Sequence, residues 1–207
     1  MREQPDDYSL PSSSMQQQPN STTLPPALQR IASMLRLSGW VTFWLQLALG
    51  VIALVLLAVF AVSRGSSAVN EQGSGGGGTG FGIFCALCGL VTLAVGIYLA
   101  FRYIRFAAQL RAANTGKRPS KAETLQLLKL GLITNLVGML FTILGSGAIV
   151  GSLLTAALEA PQSGDLFEAR RYVNPVDLFG VQANIITVSA HFIGIIAAIW
   201  LYSRVNR

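Results

Sequence analysis

An uncharged run of 29 residues, from position 130 to 158, restricts the possible folds of this chain more than any other feature. As an α-helix it would be about 43 Å long at 1.5 Å per residue, longer than the ~30 Å hydrocarbon core of a bilayer. The run therefore predicts a membrane span that tilts, bends or protrudes at one end. Composition agrees, because 12% of the residues are charged, about half the share found in soluble domains.

Small residues and one amide distinguish this span from a plain apolar helix. Five glycines recur along it, and Asn135 lies inside the apolar run. Small residues allow helix backbones to approach closely, and an amide in lipid needs a hydrogen-bonding partner. We therefore predict that the span is the packing centre of a helix bundle. Its predicted helix-packing positions are Gly131, Gly138, Gly145, Gly147 and Gly151.

Three further apolar runs predict spans at about 40–62, 81–101 and 181–202. Tryptophans at the start of the first run and the end of the last match the aromatic belts of membrane interfaces. Ser120 and Glu123 have the spacing of a capping box, which predicts that a helix begins just before the third span. The predicted fold is an all-α integral membrane bundle of four transmembrane helices over residues 27–207, after a disordered tail over 1–26.

The segments beside the spans have distinct compositions. Residues 27–38 fit either a short amphipathic helix on the membrane surface or a simple run-in to the first span. Residues 63–80, with four glycines at 75–78, predict a flexible linker. The second helix is expected to continue past the membrane to about residue 113. The N-terminus lacks an apolar signal core and carries acids, so we expect no cleaved leader.

Basic residues predict the orientation of the bundle. If both termini and the 102–129 segment share one side, that side holds twelve of the fifteen lysines and arginines. The positive-inside rule then places both termini in the cytoplasm or its organellar equivalent. Because the positive charge flanks the spans, topology explains it better than nucleic-acid binding does.

Few side chains within the spans could carry chemistry. No span has an Asp, Glu, Lys or Arg in its middle, which disfavours an ion-coupled pump. Gln46, near the start of the first span, is expected to reach the interface or a neighbouring helix. The remaining polar positions are candidates either for a transport pathway or for helix packing by hydrogen bonds. They are Asn135, Gln182, Asn184 and His191, with Thr187 on the same helical face as the last two.

His191 and the two cysteines raise the question of a metal site. A neutral imidazole can bind a metal or relay a proton, but one histidine without carboxylates makes a poor metal site. Cys85 and Cys88 are expected to be small buried thiols, since no second Cys pair accompanies them. We expect neither an enzyme nor a cofactor, because no catalytic triad, carboxylate pair or metalloprotease motif is present.

Several strings in the second half of the chain resemble a known family. They are NLVGMLFTILG (Asn135–Gly145), AIVGSLL (Ala148–Leu154), PVDLFGVQAN (Pro175–Asn184) and SAHF (Ser189–Phe192). Together they resemble a cyanobacterial and plastid membrane family first catalogued as a domain of unknown function. Its plant members are four-helix inner-envelope proteins, called both a Tic import-translocon subunit and permease in chloroplasts.

The resemblance implies one of two functions: a part in protein translocation, or transport of iron or another metal ion. If either applies, the matching polar positions are Asn135, Gln182, Asn184 and His191. The expected partners are the lipid bilayer, other membrane proteins or a second copy, and no nucleic acid. A non-transporting scaffold or assembly factor is the alternative function. Without a transit peptide, we expect the plasma or thylakoid membrane of a cyanobacterium-like cell.

Overall fold

Four long α-helices make up the computed structural model, which describes residues 26–68, 76–111, 120–159 and 175–206. Each helix encloses one predicted span and is long and apolar enough to cross a membrane, which confirms the all-α class. The predicted tail, 1–26, lies outside the described residues except for its last position. The helices are α1 (Pro26–Ala68), α2 (Gly76–Arg111), α3 (Lys121–Glu159) and α4 (Asp177–Asn206).

The helices form an up-down-up-down bundle. Each packs against its neighbours in sequence, and α4 closes the ring against α1. Gly39 of α1 lies against Ala100 and Ile104 of α2, whereas Gly50 lies against Leu93, so these two helices are antiparallel. The diagonal pairs are therefore α1 with α3 and α2 with α4. Both ends of the described chain lie at the same end of the bundle.

Polar and apolar side chains are arranged for lipid rather than for water. Large aliphatic and aromatic side chains cover the outside, and several amides and hydroxyls are buried. Two apolar clusters fill the interior near opposite ends of the bundle. The terminal cluster is Ala32, Leu35, Leu99, Tyr103, Ala107, Leu110, Leu127, Leu128, Leu201 and Val205. The distal cluster is Leu57, Phe60, Ala86, Ile149 and Ala183.

The helices extend beyond the predicted spans in two informative places. Residues 27–38 are the first turns of α1, with Ala32 and Leu35 buried in the terminal cluster, so the run-in interpretation is correct. The linker predicted over 63–80 is wrong at both ends, because α1 continues to Ala68 and α2 begins at Gly76. An unpaired backbone group near a membrane is costly. The helices therefore extend further into this segment than the low helix propensity of glycine alone predicts.

The predicted capping box at the start of α3 is confirmed. The Ser120 hydroxyl accepts from the Glu123 backbone N–H at 3.1 Å, and the Glu123 carboxylate accepts from the Ser120 N–H at 2.9 Å. Ser120→Ala is expected to lower the free energy of unfolding by about 1 kcal/mol, measured by reversible denaturation in mixed micelles.

Ser189→Ala is the control for that measurement. Ser189 is also exposed, but its hydroxyl donates only to the Ile185 carbonyl of its own helix. Loss of the Ser189 hydroxyl should change the free energy of unfolding by less than about 0.5 kcal/mol. Equal losses for both variants would mean that the capping box contributes nothing specific.

Candidate functional site

A buried polar layer lies between the two apolar clusters, and all four helices contribute to it. We call it the central network: Gln46 of α1, the Gly89 carbonyl of α2, Asn135 of α3 and His191 of α4. Gln46 and His191 are 0% exposed and Asn135 is 4% exposed. Because these side chains are buried, the loss of any of their polar contacts would be costly, as an unpaired polar group in an apolar interior is.

The first diagonal, from α1 to α3, is bridged by two amides. Gln46 Nε2 donates to Asn135 Oδ1 at 3.0 Å and to the Ala190 carbonyl of α4 at 3.1 Å. Asn135 Nδ2 donates to the Gly131 carbonyl of its own helix at 2.8 Å. The Gln46 side chain thus joins three helices at one level of the bundle.

The second diagonal, from α2 to α4, is bridged by the imidazole. His191 Nδ1 lies 3.2 Å from Asn135 Oδ1, and Nε2 lies 3.2 Å from the Gly89 carbonyl oxygen. Asn135 Oδ1 therefore serves both the glutamine and the histidine. Both diagonals are thus bridged by direct polar contacts, so the axis of the bundle is filled at this level.

Glycines make room for the central network. A Cβ at Gly138 would overlap the His191 ring and the Thr92 hydroxyl, and one at Gly194 would lie 2.5 Å from Asn135 Oδ1. A Cβ at Gly131 would overlap the Tyr103 hydroxyl. These positions are glycine because aromatic or amide groups of a facing helix occupy the space that a methyl would need.

Three of the five predicted packing glycines lie at close helix contacts, and two do not. Gly131, Gly138 and Gly145 recur every seven residues and share one buried face of α3. Gly147 and Gly151 are exposed, and a Cβ at either would meet nothing within 4 Å. These two glycines therefore make no close helix contact within this bundle, because their register turns them outward.

Of the predicted polar positions of α4, some are buried and one is exposed. Asn184 is 2% exposed, and its Nδ2 donates to the Gly180 carbonyl at 3.0 Å, while Oδ1 has no partner. Thr187 is buried on the same face, as its spacing predicts. Gln182 is exposed, so it lies on the outer surface of the bundle and apart from the central network.

Sequence reasoning left Gln46 out of the candidate site. We expected it to reach either the interface or a neighbouring helix, and it reaches two helices at the centre of the bundle. The available signal was that it is the strongest polar group in the first apolar run. The Gly89 carbonyl gave no signal, because a backbone acceptor is identical at every residue.

The thiols lie beside the network rather than in it. Cys85 is buried, Cys88 is half-buried, and both are free. Cys85 packs where Gly145 of α3 approaches α2 most closely. Within the described ranges no three His, Cys, Asp or Glu side chains come near enough together to hold a metal ion. The groups around His191 are instead amide and carbonyl oxygens.

Comparison with known proteins identifies the family. Arabidopsis thaliana "Protein TIC 21, chloroplastic" is 27% identical over 184 residues, covering 86% of this chain and 59% of that protein. The chain thus spans about three fifths of the length of this curated relative. No solved structure matches. A model of the family described as "Protein of unknown function (DUF3611)" matches residues 25–206, so the predicted resemblance is confirmed and the chain belongs to the DUF3611 family.

Proposed function

We propose that the protein is a membrane-embedded component associated with protein translocation, which acts by contacts with other membrane proteins. In this proposal its own bundle is not a pore. The observation that carries it is the direct polar contact across both diagonals of the central network, between two side chains for α1 and α3 and between the His191 ring and a backbone carbonyl for α4 and α2. A polypeptide or hydrated solute on the bundle axis would have to break these contacts. The family relationship to a protein named TIC 21 supports the same function.

The lipid-facing surface offers room for such partners. A groove of about 460 Å³ between α3 and α4 is lined by apolar side chains together with Ser146, Gly147, Asn184 and Ser189. Small residues on a lipid-facing surface allow another helix to pack closely. Asn184 forms part of the groove lining, with its Oδ1 buried beneath the surface.

Site-specific photo-crosslinking in native membranes tests this proposal. A crosslinker at position 147, in the groove, should capture defined membrane proteins, whereas one at Gln182, exposed outside it, should capture mainly lipid. Capture of translocation subunits supports the proposal. Capture of another complex, with reduced abundance of that complex when this protein is deleted, supports the scaffold or assembly alternative. No difference between the two positions would reject the groove as a docking surface.

A permease for iron or another metal ion is the second candidate function. The central network favours it, because Gln46 Oε1 is buried without a hydrogen-bond partner beside other oxygen acceptors. Oxygen atoms suit hard cations. This candidate, like the first, involves no catalysis and no resident cofactor.

Metal uptake into proteoliposomes tests the permease. Uptake should fall at least tenfold in Asn135→Ala and His191→Ala and stay unchanged in Gln182→Ala, the exposed control. Wild-type uptake in all three variants would exclude the central network as the path. No uptake of any metal ion by the purified protein would remove the permease from consideration.

We also propose that both termini lie in the cytoplasm or its organellar equivalent, in the plasma or thylakoid membrane of a cyanobacterium-like cell. Three arginine–aromatic contacts support a basic terminal end, with the guanidinium carbon 5.7–6.0 Å from the ring centroid. The pairs are Arg102–Phe106, Arg105–Phe101 and Arg204–Trp200. A reporter enzyme that works only in the cytoplasm should be active when it is fused after the last residue. Activity of a reporter that works only after export, fused at the same position, would show that the orientation is the reverse of the proposed one.

A further inference from the structure

Neither proposed function explains the protonation state that the surroundings of His191 require. The two ring nitrogens of His191 each face an oxygen at 3.2 Å, Asn135 Oδ1 on one side and the Gly89 carbonyl on the other. A neutral imidazole carries one N–H and one lone pair. Two acceptors facing two ring nitrogens therefore leave one lone pair opposed to an oxygen, unless both nitrogens are protonated.

The orientation of the Asn135 amide decides whether this mismatch is real. With Nδ2 toward the Gly131 carbonyl at 2.8 Å, Oδ1 accepts from Gln46 Nε2 at 3.0 Å. Flipping the amide would exchange Oδ1 and Nδ2 and give His191 Nδ1 a donor. It would also place Asn135 Oδ1 against the Gly131 carbonyl oxygen and Asn135 Nδ2 against Gln46 Nε2. The flip loses two hydrogen bonds to gain one, so the observed orientation is favoured.

The Gln46 amide is held in the same way. Its Nε2 also donates to the Ala190 carbonyl at 3.1 Å, and a flip would place oxygen against that carbonyl. In the observed orientation Gln46 Oε1 is buried without a donor. The interior around His191 thus holds more acceptors than donors, which favours a positively charged group there.

We propose that the central network is a proton-binding site. The free lone pair of the His191 ring takes a proton from hydronium of the bathing solution, which becomes water, and the imidazolium donates one N–H to Asn135 Oδ1 and the other to the Gly89 carbonyl. A neutral ring has one N–H and keeps one of these two hydrogen bonds, so proton binding is coupled to the contacts of α4 with α2 and α3.

The immediate surroundings of His191 leave the proton no competing site. The described groups facing the ring are Asn135 and Gly138 of α3, Gly89 and Thr92 of α2, and on the α1 side Gln46, which shares Asn135 Oδ1. None of them is titratable near neutral pH. The Thr92 hydroxyl is placed to donate to the Gly89 carbonyl at 2.8 Å or to the Cys88 carbonyl at 3.0 Å. A carbonyl oxygen has two lone pairs, so the Gly89 oxygen can accept from Nε2 as well.

The chain contains one histidine, which makes the test unambiguous. Protein labelled with ¹⁵N-histidine, carrying no histidine tag, is placed in lipid bilayers and studied by solid-state NMR from about pH 8 to about pH 5. The expected result is a neutral ring with one protonated nitrogen at the alkaline end. Both nitrogens should be protonated, and Nε2 should contact the Gly89 carbonyl carbon, at the acid end.

Two results would overturn the inference. A neutral ring protonated on Nε2 across the whole range would mean that the network is stable without a proton, whether the Asn135 amide is flipped or Nδ1 has no donor. A ring that stays neutral with Nδ1–H throughout would mean that burial prevents proton uptake. Both results are read on wild-type protein, so a variant that fails to fold cannot obscure them.

A pair of variants then tests whether Asn135 stabilises the doubly protonated ring. Asn135→Leu removes one acceptor of the imidazolium, and at a fixed acid pH the doubly protonated population should fall about tenfold, as expected for a lost hydrogen bond to a charged group. Gln182→Leu removes an exposed amide from the same helix as His191 and should leave the population unchanged. Equal populations in both variants would remove Asn135 from the site. The outcome is independent of whether the protein transports anything.

Discussion

Gly145→Ala is expected to lower the free energy of unfolding by about 1–3 kcal/mol, the usual range for overpacking a tight interior. A Cβ at this position would lie 2.9 Å from the Gly82 carbonyl oxygen, 3.0 Å from the Ala86 nitrogen and 3.1 Å from Cys85 Cβ. Two of these neighbours are backbone atoms of α2, so no rotamer change can relieve the contact. The two helices must separate, which weakens dispersion contacts along their whole interface.

Gly147→Ala is the matched control, two residues along the same helix. Its Cβ would meet nothing within 4 Å, so only helix propensity changes. Alanine is better than glycine in a helix by up to about 1 kcal/mol, so this variant should be neutral or slightly more stable. Steric trapping in bicelles measures both variants. A similar loss for the two would mean that α2 and α3 are not in close contact at Gly145.

Asn135→Leu is expected to have the second large effect, a loss of about 1–3 kcal/mol. Leucine branches at Cγ as asparagine does but has no hydrogen-bonding atom, so the acceptor shared by Gln46 and His191 disappears. The cost comes mainly from leaving the partners' donors buried without acceptors. Gln182→Leu, on the exposed surface of α4, should be within about 0.5 kcal/mol of wild type.

A double-mutant cycle separates the direct contact from general disruption. If Asn135 and His191 interact as the geometry shows, Asn135→Leu and His191→Leu together should cost less than the sum of the two single variants. The expected coupling is about 0.5–2 kcal/mol, the range for inter-helix hydrogen bonds and contacting residues. Strict additivity would contradict a hydrogen bond between the two side chains.

The position of the polar layer suggests why the bundle has a single register. In lipid, apolar helices gain little by facing each other rather than acyl chains, so apolar clusters alone allow sliding. The central network lies between the terminal and distal clusters and is satisfied at one vertical alignment of the four helices. A shift of one turn in any helix would leave amides or the imidazole without partners.

Much of the fold could be predicted because its causes are local. Bilayer thickness requires about 20 apolar residues per span, and four runs meet that requirement. The capping box lies within four residues, and both of its hydrogen bonds are present. The seven-residue spacing of Gly131, Gly138 and Gly145 likewise reflects the period of the helix, which brings them to one face.

Other features depend on how the helices are arranged, and local patterns were misleading there. Gly147 and Gly151 look like the other glycines of α3 in sequence, yet they face outward because α2 and α4 contact only one side of that helix. Gln182 and Asn184 differ by two residues and are both amides, but only Asn184 faces the interior. Periodicity predicts which residues share a face and not which face is buried.

The sequence by itself determined the class of protein, the number of spans and the family, because hydrophobic length and linear motifs are properties of the chain alone. Only the tertiary structure decided that Gln46, Asn135, His191 and the Gly89 carbonyl meet at one level. These groups are separated by 43 to 145 positions and lie on four different helices. Their meeting depends on the closure of the ring by α4 against α1 and on the relative depth of each helix, which arise from packing over the whole bundle.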